Sequence, residues 1–574
     1  MSADFLSNNA LQLLATGTEY FPALLAAIGG AAHEVHLETY IFANDETGRT
    51  VAAALACAAR RGVAVRVLVD GFGAREFAAG LGASLTADGV ELLAYRPQPR
   101  QRRLHWHRFR RLHRKLAVID GRLAFAGGIN IINDFDAGIT VPRFDYAVKI
   151  EGPLVAAIHA EMRHLWHLVR WSYLGHRPPA PAFQPAPPQP AGAMRAAFVI
   201  RDNLRHRRDI EDTYLEAMSS AQREIILANA YFLPGRRFRE ALMAAALRGV
   251  NVTLLLQGRA DYILQHRATQ SIYDSLLNAG VRIFEYQPSY LHAKVAVIDE
   301  IWATVGSSNI DPFSLLLSRE ANMIAQDHAF AHKLASHLRA AISHGAIEIQ
   351  RETQNRSWLA RRINAAAYAL MRLLIGLTGY GKQDISRNAD LRDPTNFLGL
   401  TLQPQSAPLN LMRTCSFILL TAITLLLAAC GSVPQKVGVG ETVRSAAGRE
   451  KANEVVLFSL GLINIDYRFG GKNPEAGLDC SGMVSYVFAQ SANIKLQGSA
   501  ADIAKRGHAV DIAYIQPGDL VFFNTLNRPR SHVGIYIGEG RFIHAPNSKG
   551  KVRIDSLAKG WFAPRFEEAR SYFD

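Results

Sequence analysis

Cysteine is scarce in this chain, with four among 574 residues. Cys57, Cys415, Cys430 and Cys480 each stand alone, which excludes the disulfide framework that staples small secreted domains. An uninterrupted apolar run of the ~20 residues that a membrane-crossing helix needs is also missing. Acidic residues are in deficit, 50 Asp and Glu against 64 Lys and Arg, leaving a formal net charge of +14. That balance excludes a strongly acidic surface and favours a polyanionic partner. Core material is not lacking: 49% of the residues are hydrophobic, ample for two large cores and a small one.

Against these absences stands one motif that occurs twice. His113, Lys115 and Asp120 precede Gly127, Gly128 and Asn130, and His292, Lys294 and Asp299 precede Gly306, Ser307 and Asn309. Both copies read His-x-Lys-x4-Asp, and each opens an apolar run, 116–119 or 295–298, that predicts a buried strand. Residues i and i+2 of a strand share a face, so each histidine points the same way as its lysine. A neutral imidazole can attack phosphorus or take a proton near neutral pH. A lysine ammonium and an asparagine amide can hold the non-bridging oxygens as charge builds. Asp120 and Asp299 fall on the opposite strand face, so each is expected to act after a turn, or on the partner motif's histidine, as an orienter. Two matched copies point to one phosphate-handling site built by two similar halves, rather than to a pair of solvated strand ends.

The duplication runs further. Ala59-Arg60-Arg61-Gly62-Val63 parallels Ala246-Leu247-Arg248-Gly249-Val250, and Gly89-Val90 ahead of Tyr95 parallels Gly280-Val281 ahead of Tyr286. Each half has an earlier strand candidate, 34–42 and 224–232, and alanine-rich helical patterns such as 50–61 and 238–247. Strands alternating with helices predict α/β layers. A Pro-rich stretch, 177–190, reads as an exposed linker or loop between the halves.

With these residues in view, the first ~350 resemble the phospholipase D superfamily, and among it the bacterial cardiolipin synthases of the short type without N-terminal membrane spans. Leu37-Glu38-Thr39-Tyr40-Ile41, Asp145-Tyr146-Ala147-Val148 and Arg319-Glu320-Ala321-Asn322 fit, with the paired motif as the most specific part. The resemblance implies that one histidine becomes a phosphohistidine while the other protonates the departing alcohol and deprotonates the incoming one. Two phosphatidylglycerols would then give cardiolipin and glycerol. Asn130, Asn309, Ser307 and Glu320 would support the phosphate, with Gly128 standing where the second copy has Ser307. No metal or other cofactor is called for, because Lys115 and Lys294 supply positive charge. Which histidine is the nucleophile stays open, as do a phospholipase D-type hydrolase, a nuclease and a non-catalytic membrane scaffold.

Residues 100–115 form a basic run with Leu104, Trp106, Phe109 and Leu112 interleaved. The apolar members favour anionic phospholipids and a membrane surface over nucleic acid. The segment 358–377 mixes Arg361, Arg362 and Arg372 into an apolar stretch, which fits a helix on the bilayer or one docked on the enzyme core.

Late in the chain, Met412-Arg413-Thr414-Cys415-Ser416 precedes a mostly apolar run, 417–429, then Leu427-Ala428-Ala429-Cys430-Gly431. A basic start, an apolar centre and small residues before a cysteine read as a signal peptide. Its end resembles a bacterial lipobox with Cys430 as the lipidated residue. Placed mid-chain, it implies either two proteins joined in one reading frame or a fusion. In a fusion, residues 1–411 would sit peripherally on the cytoplasmic side of the inner membrane. The rest would be periplasmic or lipid-anchored if exported.

Beyond it lies a second chemistry. Leu478-Asp479-Cys480-Ser481-Gly482 opens a helical pattern, and a cysteine at a helix N-terminus has its thiolate stabilised by the helix dipole. His532 and His544 open and close two adjacent strand patterns. They complete a Cys-His-polar triad in which His544 orients His532. With Pro517-Gly518-Asp519-Leu520 and Tyr467-Arg468-Phe469-Gly470-Gly471, this part resembles the NlpC-type cell-wall peptidases. That likeness implies cleavage of peptidoglycan stem peptides, with Cys480 as nucleophile, His532 as base, His544 third, and Tyr467 as an oxyanion or substrate contact.

The expected fold class is therefore α/β: two similar phospholipase D-like halves sharing one active site, plus a C-terminal papain-like α+β domain. The expected division is 1–176 first half, 177–193 linker, 194–350 second half, 351–411 basic membrane-associating segment, 412–430 signal, 431–449 linker and 450–574 peptidase.

Overall fold

The computed structural model describes residues 3–97, 110–135, 138–174, 187, 189–202, 206–259, 262–311, 318–350, 358–377, 444–546 and 550–573. The two apolar runs that follow the histidines become strands β5 (Lys115–Ile119) and β12 (Lys294–Ile298), with every residue buried. Strands covered on both faces read as continuous apolar runs, which is why the pattern did not alternate. Each folds back as a hairpin onto β6 (Leu123–Gly127) or β13 (Trp302–Gly306). The turns hold Asp120 at φ 52° with Gly121 at 63°, and Asp299 at 53° with Glu300 at 54°. Two successive positive φ values form a reverse turn that the Arg122 amide closes on the Ile119 carbonyl at 3.0 Å and the Ile301 amide on the Ile298 carbonyl at 3.1 Å, and aspartate tolerates that left-handed backbone, which explains why it closes each motif.

The repeated Arg-Gly-Val segments have a similar origin. Gly62 and Gly249, at φ 89° and 91°, end the helices Glu46–Arg60 and Arg236–Leu247 in a left-handed step that glycine tolerates. They launch β3 (Ala64–Asp70) and β10 (Asn251–Gln257). In the first half β3 lies parallel between β2 (Glu34–Thr39) and β4 (Glu91–Tyr95). In the second, β10 lies parallel between β9 (Glu224–Asn229) and β11 (Arg282–Tyr286). Both β2 and β9 stop short of their expected ends. Beyond Thr39, Tyr40 leaves the sheet and Phe42 makes a lone bridge to Ile131.

With β1 (Leu6–Ala15), β7 (Tyr146–Glu151), β8 (Met194–Arg201), β14 (Glu320–Gln326) and β15 (Ala346–Glu348), these strands form one 15-stranded sheet. Its order is β15-β11-β10-β9-β12-β13-β14-β8-β1-β7-β6-β5-β2-β3-β4. Reading outward from the antiparallel β1–β8 pair, both directions give the same sequence of elements except for β15, which is added at the outer edge of the second half, so the halves are related by an approximate twofold at that seam. Helices Leu154–Leu174 and His328–Gly345 fill the seam, burying Val155, Ile158, Phe330 and Leu334 in one shared core.

Helix Trp358–Leu377 is docked on the enzyme core. Ala367 and Met371 pack with Leu233 and Ala268, while Ile363 and Leu370 stay exposed. Among the described residues no helix is long and apolar enough to cross a membrane. The basic run 100–109, most of the Pro-rich linker, and the signal with Cys415 and Cys430 lie outside the described residues.

The C-terminal part has a small hairpin, β16 (Lys472–Asn473) with β17 (Gly477–Leu478), and a six-stranded antiparallel sheet. The sheet comprises β18 (His508–Val510), β19 (Leu520–Phe523), β20 (His532–Gly538), β21 (Arg541–His544), β22 (Arg553–Ser556) and β23 (Phe566–Ser571), in the order β18-β23-β19-β20-β21-β22. Helices Ala446–Leu460 and Cys480–Ser491 pack on it. This part docks on the first half: Arg96 pairs with Glu454 at 2.7 Å, Trp171 Nε1 donates to the Ile537 carbonyl at 3.3 Å, and the Arg110 guanidinium lies over the Phe458 ring.

Candidate active sites

His113 and His292 lie just before β5 and β12 and line one cavity of about 890 Å³, with Tyr40, Arg111, Asn130, Arg143, Asp145, Tyr231, Tyr290 and Asn309. The backbone enforces the convergence. The His113 amide donates to the Arg319 carbonyl at 2.9 Å, and the His292 amide to the Phe144 carbonyl at 2.8 Å. Each histidine segment is thereby stitched to the strand start of the other half. The carboxylates follow the same crossing: His113 Nδ1 meets Glu320 Oε2 at 3.0 Å, and His292 Nδ1 meets Asp145 Oδ2 at 2.6 Å. A carboxylate at Nδ1 favours the proton there and leaves Nε2 as the atom for chemistry.

Burial is the largest influence on both imidazoles and pulls their pKa down, against the raising effect of the carboxylates. For His292 the result is about 3, with the Lys294 charge pushing the same way. Lys294 Nζ lies 2.8 Å from His292 Nδ1 and 3.7 Å from Asp145 Oδ2. Lys115 Nζ donates to the His113 carbonyl at 2.5 Å. Burial lowers Lys115 to about 7 and Lys294 to about 8, so both are cations with little to spare near neutrality. Arg114, between His113 and Lys115, turns away and pairs with buried Glu38 and, at 2.8 Å, with Glu161.

Several expectations need correction. Asp120 and Asp299 are not orienters. They sit just past the far ends of β5 and β12, so that a whole five-residue strand, roughly 16 Å long, lies between each of them and its histidine. There Asp120 accepts the amides of Ala32, His33 and Glu34 at 2.8–2.9 Å, and Asp299 those of Gln222, Arg223 and Glu224 at 2.8 Å. Glu320 does not line the phosphate space either; it is fully buried beneath His113. Ser307 gives its hydroxyl to Glu320 Oε2 at 2.6 Å rather than to the cavity. Asn130 Oδ1 accepts the Ile41 amide at 3.1 Å, and both Asn130 and Asn309 do line the cavity.

Asp145 is the residue that sequence reasoning missed. The register offers the signal: Gly127 pairs with Ala147 and Gly306 with Asn322, so Asp145 and Glu320 occupy equivalent positions. The Gly128–Ser307 difference then has a cause. A Cβ at Gly128 would lie 2.3 Å from Asp145 Oδ1, so the shorter acid is matched to the smaller neighbour. Among the described residues, no group of three or more His, Cys, Asp or Glu could hold a metal ion.

In the C-terminal part, Cys480 begins its helix, and the N-cap Asp479 accepts the Gly482 amide at 2.6 Å. The thiol is not the resting thiolate that a helix terminus suggested. Burial, followed by the Asp479 charge, raises its pKa to about 11 despite amide hydrogen bonds, including one from Val533 beside His532. Tyr467 bridges Leu478 in the adjoining loop. His532 Nε2 faces His544 Nδ1 at 2.7 Å, and His544 Nε2 faces Asp555 Oδ2 at 2.9 Å.

Two α/β halves, each sending one histidine into a common cavity, define a phospholipase D-like protein. Residues 24–166 and 214–342 match the family model described as cardiolipin synthase, PLD-like domain, and residues 464–571 match the NlpC/P60 family. Cardiolipin synthase B of Shigella flexneri is 39% identical over 386 residues, 66% of this chain and 92% of its own length. Cardiolipin synthase B of Escherichia coli (strain K12) is 38% identical over 400 residues, 69% of this chain and 95% of its own length. The solved structure of phosphatidylserine synthase from Haemophilus influenzae Rd KW20 superposes with a TM-score of 0.51, covering 65% of this chain and 96% of that one; at 12% identity the likeness is one of fold. The chain belongs to the phospholipase D-like cardiolipin synthase family, with an NlpC/P60 domain following it.

Proposed function

We propose that the larger part transfers a phosphatidyl group between phospholipids. What carries the reading is the pair of imidazoles on one cavity, each braced by a carboxylate of the opposite half. One Nε2 attacks the phosphorus of a phosphatidylglycerol, and the bond to the headgroup glycerol breaks as the other histidine gives that oxygen a proton. The second histidine then takes the proton of another phosphatidylglycerol's hydroxyl. The freed oxygen attacks the phosphohistidine, breaks the P–N bond and yields cardiolipin. Lys115, Lys294, Asn130 and Asn309 hold the non-bridging oxygens through both steps. Asp145 and Glu320 orient the histidines, in place of Asp120 and Asp299.

The enzyme sits on the bilayer through the cavity rim, where exposed Phe72 and Tyr262 adjoin Ile263, and through the free face of helix Trp358–Leu377. The C-terminal domain cleaves peptidoglycan stem peptides, with Cys480 attacking the scissile carbonyl, His532 taking its proton and Tyr467 contacting the substrate. The domain limits are those read from the sequence, with 1–176 and 194–350 as halves and 450–574 as peptidase. If the last part is exported to the periplasm or lipid-anchored while residues 1–411 stay on the cytoplasmic side, the Arg96–Glu454 and Trp171–Ile537 contacts are given up.

Lipid analysis of cells expressing the chain tests the reading: new cardiolipin, lost in His113→Ala and in His292→Ala, is expected. Phosphatidic acid in its place would make the enzyme a hydrolase. Muropeptide digestion should vanish in Cys480→Ala, and unchanged digestion would remove Cys480 from its role.

A further inference from the structure

A histidine as third member of a cysteine triad brings an ambiguity. An amide oxygen in that place can only accept a hydrogen bond from the base, whereas an imidazole nitrogen can accept or donate one. Here His532 Nε2 and His544 Nδ1 face each other at 2.7 Å, so one must carry the proton and the other must not. If His544 Nδ1 carried it, His532 would be bare at Nε2 and protonated at Nδ1, the nitrogen left for the thiol. That tautomer cannot act as a base toward Cys480.

We propose that Asp555 resolves this choice and is a positioning residue of the peptidase: its carboxylate holds the proton of His544 on Nε2, which makes His544 Nδ1 an acceptor and His532 Nδ1 the free base. The inference rests on the peptidase reading of the C-terminal domain. The sheet builds the relay directly, because β20, β21 and β22 are neighbours and give one member each. His544 pairs with Arg553 and Phe542 with Asp555, so Asp555 lies diagonally across from His544 on the same face. Its Oδ2 meets His544 Nε2 at 2.9 Å. The opposite tautomer would set a bare Nε2 against a carboxylate, two acceptors in contact around a ring with no solvent exposure. Phe562 covers both imidazoles, with centroids 5.4 Å from His532 and 4.5 Å from His544, so water does not compete. Arg553 Nη2 holds the same carboxylate oxygen at 2.9 Å and keeps it in place. The His544 hydrogen bond, against partial burial and with help from Arg553, also keeps the Asp555 carboxyl ionised, its pKa lowered to about 2. When Cys480 yields its proton and His532 becomes imidazolium, the relay ends on a negative charge that steadies it.

The test compares the full chain with its Asp555→Asn and Asp555→Glu variants. Muropeptide turnover is read beside the pH dependence of Cys480 alkylation by iodoacetamide. The charged and titratable groups around the relay are Cys480 and Asp479 at the helix start, Tyr467 in the adjoining loop, and Arg553 and Asp555 on β22. Only the last changes in these variants. Loss of an orienting partner of this kind lowers activity on the order of tenfold to a hundredfold. Asp555→Asn should show that fall in kcat with KM nearly unchanged. Its alkylation should be several-fold slower at neutral pH, with the profile displaced toward alkaline pH, and Asp555→Glu should recover part of both. An unchanged thermal unfolding midpoint of the C-terminal domain reports that the variants are folded. An alkylation profile in Asp555→Asn that superimposes on that of the parent overturns the proposal, whether turnover is kept or lost. If the parent digests no muropeptide, the peptidase reading fails, while the alkylation profiles still decide on Asp555.

Discussion

Replacing Asp145 with asparagine alters a single atom pair at the centre of the larger site. Asp145 Oδ2 accepts from His292 Nδ1 at 2.6 Å, and Lys294 Nζ stands 3.7 Å from the same oxygen. An amide there can donate as well as accept, so it can leave the His292 proton on Nε2, where the imidazole neither attacks phosphorus nor takes a proton. The swap also removes the negative charge that steadies a His292 imidazolium and partners Lys294. In the serine-protease triad, the same aspartate-to-asparagine change beside a histidine lowers turnover by about ten-thousandfold. For Asp145→Asn we expect a loss on the order of a thousandfold, equivalent to ~4 kcal/mol on the barrier. The assay is cardiolipin formation from labelled phosphatidylglycerol in vesicles, with the thermal midpoint measured alongside. The shapes match, so the midpoint should move little. Activity within about fivefold of the parent, in a folded variant, would mean that the carboxylate does not set the His292 tautomer.

Three further outcomes follow from the same geometry. Gly128→Ser should behave like a mild Asp145 variant, because the new Cβ falls 2.3 Å from Asp145 Oδ1 and must push it aside. Cardiolipin synthesis in that variant at the parent's rate would contradict the account. Asp120→Ala should lower stability by about 2 kcal/mol through three amides left without their acceptor, read as a shift in a urea midpoint. The folded fraction should keep its activity, and a folded but inactive Asp120→Ala would return that residue to the chemistry. Buried Lys115 and Lys294, lowered to about 7 and 8, are charged below those values and lose charge above them. kcat/KM should therefore fall as pH rises from 7 to 9, and a flat profile over that range would show that their charge is not used.

The legibility of this chain in its sequence divides along a physical line. Whatever is local was readable. His113 with Lys115 and His292 with Lys294 share a strand face, the buried strands β5 and β12 show as apolar runs, and the repeated Arg-Gly-Val marks a glycine helix end. Asp120 and Asp299 were visible but misassigned, since their spacing reflects a hairpin turn with positive φ rather than a contact with histidine. The histidine partners were hidden because they come from the other half, with Glu320 207 positions from His113 and Asp145 147 positions from His292. No spacing rule reaches across such a gap; the sheet register does, by setting Asp145 and Glu320 at equivalent strand starts. The Cys480 thiol illustrates the same limit. Its place at a helix start was evident, whereas the burial that holds it protonated belongs to the tertiary structure.

The account of the larger enzyme rests on two imidazoles reaching one phosphorus. A crystal structure of the chain soaked with orthovanadate measures this directly. A single vanadium within bonding reach of both His113 Nε2 and His292 Nε2 is the expected result. Vanadium bound to one ring with the other turned to a separate cavity, or two independent ions, would contradict it.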